Sequence, residues 1–389
     1  MRQQLIYGSQ LNAGFLTVLV GFTSSVILVF QAGQALNVSS AELGSWLFAL
    51  CLGMGGLGII LSWHYKEPIV LAWSTSGAVV IIGSSEGIVV AEAIGAFMIS
   101  GVLIAISGWS GGFHYLNRCI HPSIASAILA GILFSFCLNA FLAILQDAFL
   151  VLSMLLVYFI GRRFFPLYGL VIVLAVGMIM SYAKGDLNID HLQFAWVQPV
   201  LTWPVFSIHA MLSLSLPIFI VTLISQNIPG LRVLRSEGYQ APSQHLIGWT
   251  GSITTLLAPL GCFGLNLSTI TAAICSGKDA HPQPQQRYIA AIVAGGLYLI
   301  VGLFGLSMTA LLFAFPPAFV MAMAGIALLS TFSNAITVAL ADSDTREASV
   351  LAFLVTASGL HLYGINAVIW GLIAGCVTAK WLAWPKRTS

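Results

Sequence analysis

Residues 68–80 read PIVLAWSTSGAVV and residues 259–273 read PLGCFGLNLSTITAA. Each stretch opens at a proline, runs through apolar or glycine-rich residues, meets a cluster of Ser, Thr or Asn, and goes on in small helix-forming residues. Ser, Thr and Asn are preferred helix N-caps. The pattern therefore predicts an extended strand leading into a half-length helix. Both stretches lie in apolar segments (68–83 and 264–276) shorter than the roughly 20 residues a spanning helix needs.

The surrounding chain sets these breaks inside a membrane. Of 389 residues, 59% are hydrophobic and 7% charged, against about 25% charged in a soluble domain. That excludes a soluble enzyme and a disordered chain, and a net charge of +2 gives no basis for nucleic-acid binding. No charge occurs in 3–41, 191–231, 238–277 or 288–341, and each gap has room for about two spans. The first apolar run, 11–32, is too long for a signal-peptide core and reads as a retained span. The full set is 11–32, 42–63, 68–83, 89–109, 122–141, 147–161, 166–183, 206–227, 244–261, 264–276, 287–305, 308–330, 347–361 and 364–384.

Charge placement requires the two short segments to cross. With fourteen spans and the N-terminus inside, the inner set is Arg2, Lys66, Arg118, Arg162, Arg163, Arg232, Arg235, Lys278, Arg287, Arg346, Lys380, Lys386 and Arg387. Lys184 alone lies outside. This satisfies the positive-inside rule. Dropping the third segment sets Arg118 opposite Lys66, and dropping the tenth sets Lys278 opposite Arg232. Both termini are thereby expected in the cytoplasm. The acids Glu42, Glu86, Glu92, Asp147, Asp186 and Asp190 fall outside.

The chain also repeats itself at half its length. PSIASAILAGILFSF from Pro122 resembles PAFVMAMAGIALLSTF from Pro317, with Gly131 and Gly325 at an offset of 194. Leu103–Gly108 matches Leu297–Gly302, Tyr168-Gly169 matches Tyr363-Gly364, Ala183-Lys184 matches Ala379-Lys380, and Gln31 matches Gln226. Seven segments is an odd number, so the halves 1–194 and 195–389 enter from opposite sides. Inverted repeats with broken helices in corresponding positions are a secondary-transporter design.

Unpaired backbone cannot face lipid, so the breaks must be covered by protein or line a cavity. Two half-helix N-termini converging from opposite sides make an anion site that needs no basic residue. The candidate binding residues are Trp73, Ser74, Thr75 and Gly77 from the first break, and Phe263, Asn266, Ser268 and Thr269 from the second. Gln226 and Asn227 come from SQNIPG (225–230), which the pattern sets at the end of span eight, and Gln31 from the end of span one. The hydroxyls could equally serve only to satisfy backbone, and Trp73 and Phe263 to pack. His121, His209 and His361 read as interfacial. The six cysteines (Cys51, Cys119, Cys137, Cys262, Cys275, Cys376) read as packing residues without metal-ligand spacing. No metal or cofactor is expected.

The motifs Ala72–Ala78 (AWSTSGA), Ser225–Gly230 with Gly238-Tyr239, Ile270–Cys275 with Ala280–Pro282, and Ala352–Leu360 resemble those of the benzoate/proton symporters of bacterial inner membranes. The resemblance covers essentially the whole chain. It implies uptake of an aromatic carboxylate with a proton, in the seven-plus-seven fold of the uracil permease type. Segments 1–4 and 8–11 would form a core domain and 5–7 and 12–14 a gate domain, with a homodimer through the gate. Uracil carriers carry glutamates where Gln226 and Asn266 stand here, and amide donors would suit a carboxylate. The chain departs from the family at Ser76, often proline, and at Ser268 and Thr269, often small and apolar, which suggests a more polar ring. A nucleobase or small-anion carrier is the alternative on this fold. No HExxH, mid-span carboxylate pair or GxxxxGK[ST] supports an enzyme or an ATP-driven pump. The proton carrier stays open between acids near span ends, a histidine and the substrate's own carboxyl.

Overall fold

The computed structural model describes residues 2–113, 115, 121–165, 168–187, 195–360, 362 and 366–382, with side chains from residue 8 onward. The expectations that rest on the Arg2 side chain, Arg118, Cys119, Asp190, His361, Tyr363-Gly364, Lys386 and Arg387, and on the two chain ends, lie outside the described residues.

The chain is an all-α polytopic membrane protein with a fourteen-segment, seven-plus-seven inverted repeat. The first repeat comprises α1 (Arg2–Ala35), α2 (Ser40–Tyr65), β1 (Leu71–Trp73) leading into α3 (Thr75–Ser84), α4 (Val90–Trp109), α5 (Pro122–Leu145), α6 (Ala148–Phe164) and α7 (Gly169–Lys184). The second comprises α8 (Ile208–Ser236), α9 (Ser243–Leu257), β2 (Leu265–Leu267) leading into α10 (Ile270–Ser276), and α11 (Tyr288–Leu303). After these come a short α12 (Gly305–Phe313), α13 (Pro317–Ala341), α14 (Arg346–Ala357) and α15 (Ala367–Leu382). Seven of these helices are long and apolar enough to cross a bilayer on their own.

Two segments differ from the sequence reading. The segment placed at 308–330 is two helices, because the Pro316-Pro317 pair ends α12 and starts α13. Span eight does not end at 227 but continues to Ser236. It does so through Pro217 and Pro229, each of which follows a π-helical turn, at 211–215 and 222–227. Proline has no N–H to donate and its ring crowds the carbonyl four residues back; the wider π turn takes up both problems. Ahead of α8, residues 195–207 pass along one end of the bundle outside regular secondary structure. Their backbone N–H groups bond Leu303 O, Pro259 O, Ala91 O and Ser45 Oγ, which ties α11, α9, α4 and α2 together at one end.

The inversion is visible in the packing. α1 lies along both half-helices. Ser9 Oγ donates to Ala280 O just beyond α10, Thr17 bonds Cys275, and at the other end Ser85 Oγ donates to Ala35 O. α8 likewise packs against α3 and α10. α1 touches the seventh segment of its own repeat (α7) and the fifth of the other (α13); α8 touches α15 and α5, the same two positions with the repeats exchanged.

Candidate binding site at the crossing of the two broken helices

The strands meet at the centre of the bundle. β1 and β2 pair antiparallel, with Leu71 opposite Leu267, Ala72 opposite Asn266 and Trp73 opposite Leu265. Flanking bonds from Ser268 N to Val70 O (3.0 Å) and from Ser74 N to Gly264 O (2.9 Å) extend the ladder. Each break thus satisfies the other's backbone, the requirement set by burial away from water. α3 and α10 then leave in opposite directions, their N-termini toward the crossing.

The first half-helix is held tightly. Ser74 Oγ caps it by accepting from Gly77 N at 3.0 Å and shares a hydrogen bond with Thr222 Oγ1 at 2.6 Å. Gln226 Nε2 donates to Thr75 Oγ1 (3.1 Å) and Ser76 Oγ (2.8 Å). Gly77 is needed for this closeness, since a Cβ there would stand 2.9 Å from Ser74 Oγ. The second half-helix starts at Thr269, whose side chain makes no capping bond, and Ser268 Oγ pairs with Thr271 Oγ1 in its own first turn. Ile270 is 55% exposed, so this end opens to the surroundings. At its other end the buried guanidinium of Arg287 donates to Ser276 O (2.6 Å) and His281 O (2.8 Å), a cation placed where the helix dipole favours one.

Asn227 and Asn266 are fully buried; Asn266 is the middle residue of β2 and Asn227 lies beside the strand. Asn227 Oδ1 accepts from Leu267 N at 3.0 Å, and Asn266 Nδ2 donates to Leu267 O at 2.9 Å. Both amide hydrogens of Gln226 and one of the two on Asn266, expected from sequence to reach a guest, are therefore already engaged within the protein. What is free is Asn266 Oδ1 and Asn227 Nδ2, both buried without partners.

The π turn at 222–227 puts Thr222, Gln226 and Asn227 at the crossing, so the SQNIPG motif sits in mid-helix rather than at a helix end. Gln31 does not reach the crossing. On α1 that level is occupied by Phe22, edge-on to Trp73 at 5.7 Å, and by Ser25, whose Oγ accepts from Trp73 Nε1 at 2.8 Å. Gln31 lies six residues on, about 9 Å along the helix, its Oε1 buried without a partner. The register of 195 therefore fails in space for this helix pair. Trp73 packs among α1 side chains. Phe263 is fully buried between Trp46 and Phe97 and has no free face for a guest ring.

Sequence reasoning passed over Phe22, Ser25, Thr222 and Thr271. The signal was present as polar residues one turn apart in an apolar helix (Thr222 and Gln226) and as the Thr23-Ser24-Ser25 run in mid-span. Tyr298 projects its hydroxyl toward the same place, since a Cβ on Gly21 would meet it at 2.4 Å and Thr271 at 3.1 Å; nothing in the sequence marked it. Among the described residues no three His, Cys, Asp or Glu side chains come together as metal ligands.

Comparison with known proteins bears on the whole chain. A family described as benzoate membrane transport protein matches residues 4–381. The chain is 41% identical to the inner membrane protein YdcO of Escherichia coli over 94% of both chains. It is 36% identical to the benzoate membrane transport protein of Acinetobacter baylyi, over 97% of this chain and 95% of that one. Among solved structures it is similar to the transmembrane domain of the cyanobacterial bicarbonate transporter BicA (TM-score 0.63, 15% identity, 96% and 97% covered). It is similar also to SLC26A9 (TM-score 0.59, 14% identity, 95% and 64% covered).

Proposed function

The chain belongs to the benzoate membrane transport protein family, and from that premise we propose that it imports benzoate or a close aromatic carboxylate together with a proton across a bacterial inner membrane. It is a membrane transporter and not an enzyme. The observation that carries the reading is the crossing itself, where two half-helix starts and a set of hydroxyl and amide groups meet inside an apolar bundle with no basic side chain among them. The carboxyl end of the guest meets the unpaired amide atoms of Asn227 and Asn266 beside the start of the second half-helix. Phe22, half-buried at the same level, offers a surface for the ring.

In this reading α1–α4 with α8–α11 form a core domain that carries the guest, and α5–α7 with α13–α15 form a gate domain. Alternating access is the sliding of one group past the other. α12, the first part of the twelfth segment, packs on α2, α1 and α11 of the core; apart from it, the helices that touch across the two groups are α1 with α7 and α13, α3 with α5, and α8 with α5 and α15, a limited set that supports this division. Both termini lie in the cytoplasm, and the protein assembles as a homodimer through the gate. Ser74, Thr75, Gln226, Asn227, Asn266, Ser268 and Thr269 build the site, with Gln226 positioning the first half-helix rather than touching the guest.

Proteoliposomes with an inward proton gradient should accumulate labelled benzoate, and unlabelled uracil or sulfate should not displace it. Uptake that ignores collapse of the gradient rejects proton coupling; displacement by uracil moves the protein to a different substrate class.

A further inference from the structure

We infer that the guest is held as its neutral acid, its O–H donated to Asn266 Oδ1 and its carbonyl oxygen accepting from Asn227 Nδ2; this rests on the aromatic-carboxylate reading above. The two asparagines grip one residue from one edge. The ladder bonds fall at residues 264 and 268 of the second break, with Asn266 opposite Ala72 between them. In an antiparallel pair the intervening residue turns its N–H and C=O away from the partner strand. Those outward groups of Leu267 are the ones Asn227 Oδ1 and Asn266 Nδ2 take.

That contact fixes both amide orientations. Turned over, Asn266 would set oxygen against the Leu267 carbonyl, and Asn227 would set NH₂ against the Leu267 N–H. The remaining atoms are therefore one acceptor and one donor, each on a side chain at most 1% exposed and each without a partner. Asn266 lies three residues before Thr269, where the second half-helix begins. It shares a face of the ribbon with Ala72, the one strand residue of the six that is not fully buried. A carboxylic acid presents a carbonyl and an O–H side by side, the complement of this pair. A carboxylate presents acceptors only and would press an oxygen against Asn266 Oδ1.

The surroundings offer the proton no better carrier. β2 packs against β1, α8 and α9. β1 has no titratable side chain. On α8, His209 is about 27 Å along the helix from Asn227, Arg232 is exposed, and Arg235 is bonded to the 239–241 loop. On α9, His245 pairs with Tyr65 near the helix start. The thiols of Cys262 and Cys275 and the phenol of Tyr298 are the other groups nearby, and such groups hold their protons at neutral pH. The sequence of events balances: a carboxylate takes one proton on the outer side, crosses as the acid, and gives the proton up on the inner side, so no net charge moves.

The test uses the full-length purified protein and three ligands. Benzoate should bind with a Kd that rises about tenfold per pH unit above the acid's own pKa. Benzamide, a neutral molecule with the same donor and acceptor, should bind with no pH dependence. Benzenesulfonate, which stays anionic, should fail to compete. Asn266→Leu should weaken benzoate and benzamide together, by about tenfold; if that variant does not fold, the wild-type ligand panel still decides. Competition by benzenesulfonate with a flat benzoate pH profile overturns the proposal, as does a benzamide Kd that follows pH, or a sodium requirement that gives Asn266 Oδ1 to a cation. Loss of both benzoate and benzamide binding overturns the aromatic-carboxylate reading itself.

Discussion

The two broken segments occupy corresponding places in the repeats, yet they are held in opposite ways. The first half-helix is ten residues long, side-chain capped, and fastened at its start to α8 through Thr222 and Gln226. The second is seven residues long, has no side-chain cap, and opens its first turn at Ile270. It is fastened instead at its strand by two asparagines and at its far end by Arg287. A helix start whose N–H groups are already bonded and screened has less to offer a guest than one left open. The first break is accordingly a frame, and the second is the side on which a guest finds unmet hydrogen-bonding capacity.

The largest expected effect comes from removing the far anchor of the second half-helix. Arg287→Met leaves Ser276 O and His281 O without their charged donor, and each such bond contributes about 1.5–3 kcal/mol. The thermal midpoint in detergent should fall by more than for any variant below. An unchanged midpoint would show that α10 needs no anchor. Next is Gly77→Ala. A methyl 2.9 Å from Ser74 Oγ must push the cap away, at about 1–3 kcal/mol. The equivalent position after Thr269 is Ala272, which already carries a methyl because no cap stands there to be displaced. Equal tolerance of Ala272→Gly and Gly77→Ala would erase the asymmetry.

Gln226→Ala should weaken guest binding by roughly tenfold through loosening of the first turn. Gln226→Met, which keeps the length but can neither donate to nor firmly accept from the Thr75 and Ser76 hydroxyls, should do the same. A methionine variant with wild-type affinity would show that those bonds do not position α3. The smallest effect is a contrast. Ser74→Ala should cost about 1 kcal/mol as a lost N-cap, whereas Thr269→Ala should stay within about 0.5 kcal/mol. Melting curves of the two variants side by side read this directly, and equal losses would mean that Thr269 caps after all.

Much of the fold was legible because membrane burial imposes coarse, long-range rules. The uncharged gaps marked the spans, and the one-sided distribution of Lys and Arg required the short segments 68–83 and 264–276 to be counted. Ser74 was identifiable as a cap since a hydroxyl before a small-residue run has one common use. Less of the site could be read. Gln226 and Asn266 were expected to donate to a guest, but an amide has two ends and sequence does not say which end the backbone takes. Gln31 was drawn in by a register that holds along most of the chain and fails where α1 and α8 differ in length and in π turns. Phe263 looked available beside a polar turn, yet Trp46 and Phe97, distant in sequence, enclose it.

The sequence by itself determined the membrane class, the count and inversion of the segments, and where two helices break. These follow from solvation of charge and of backbone, which acts on every residue through its own polarity. Only the tertiary structure decided which atoms at the crossing remain unpaired. Hydrogen-bond satisfaction is a property of pairs: Asn227 and Asn266 both take backbone groups of Leu267, and those groups face them because pairing of β2 with β1 turns them away from the partner strand.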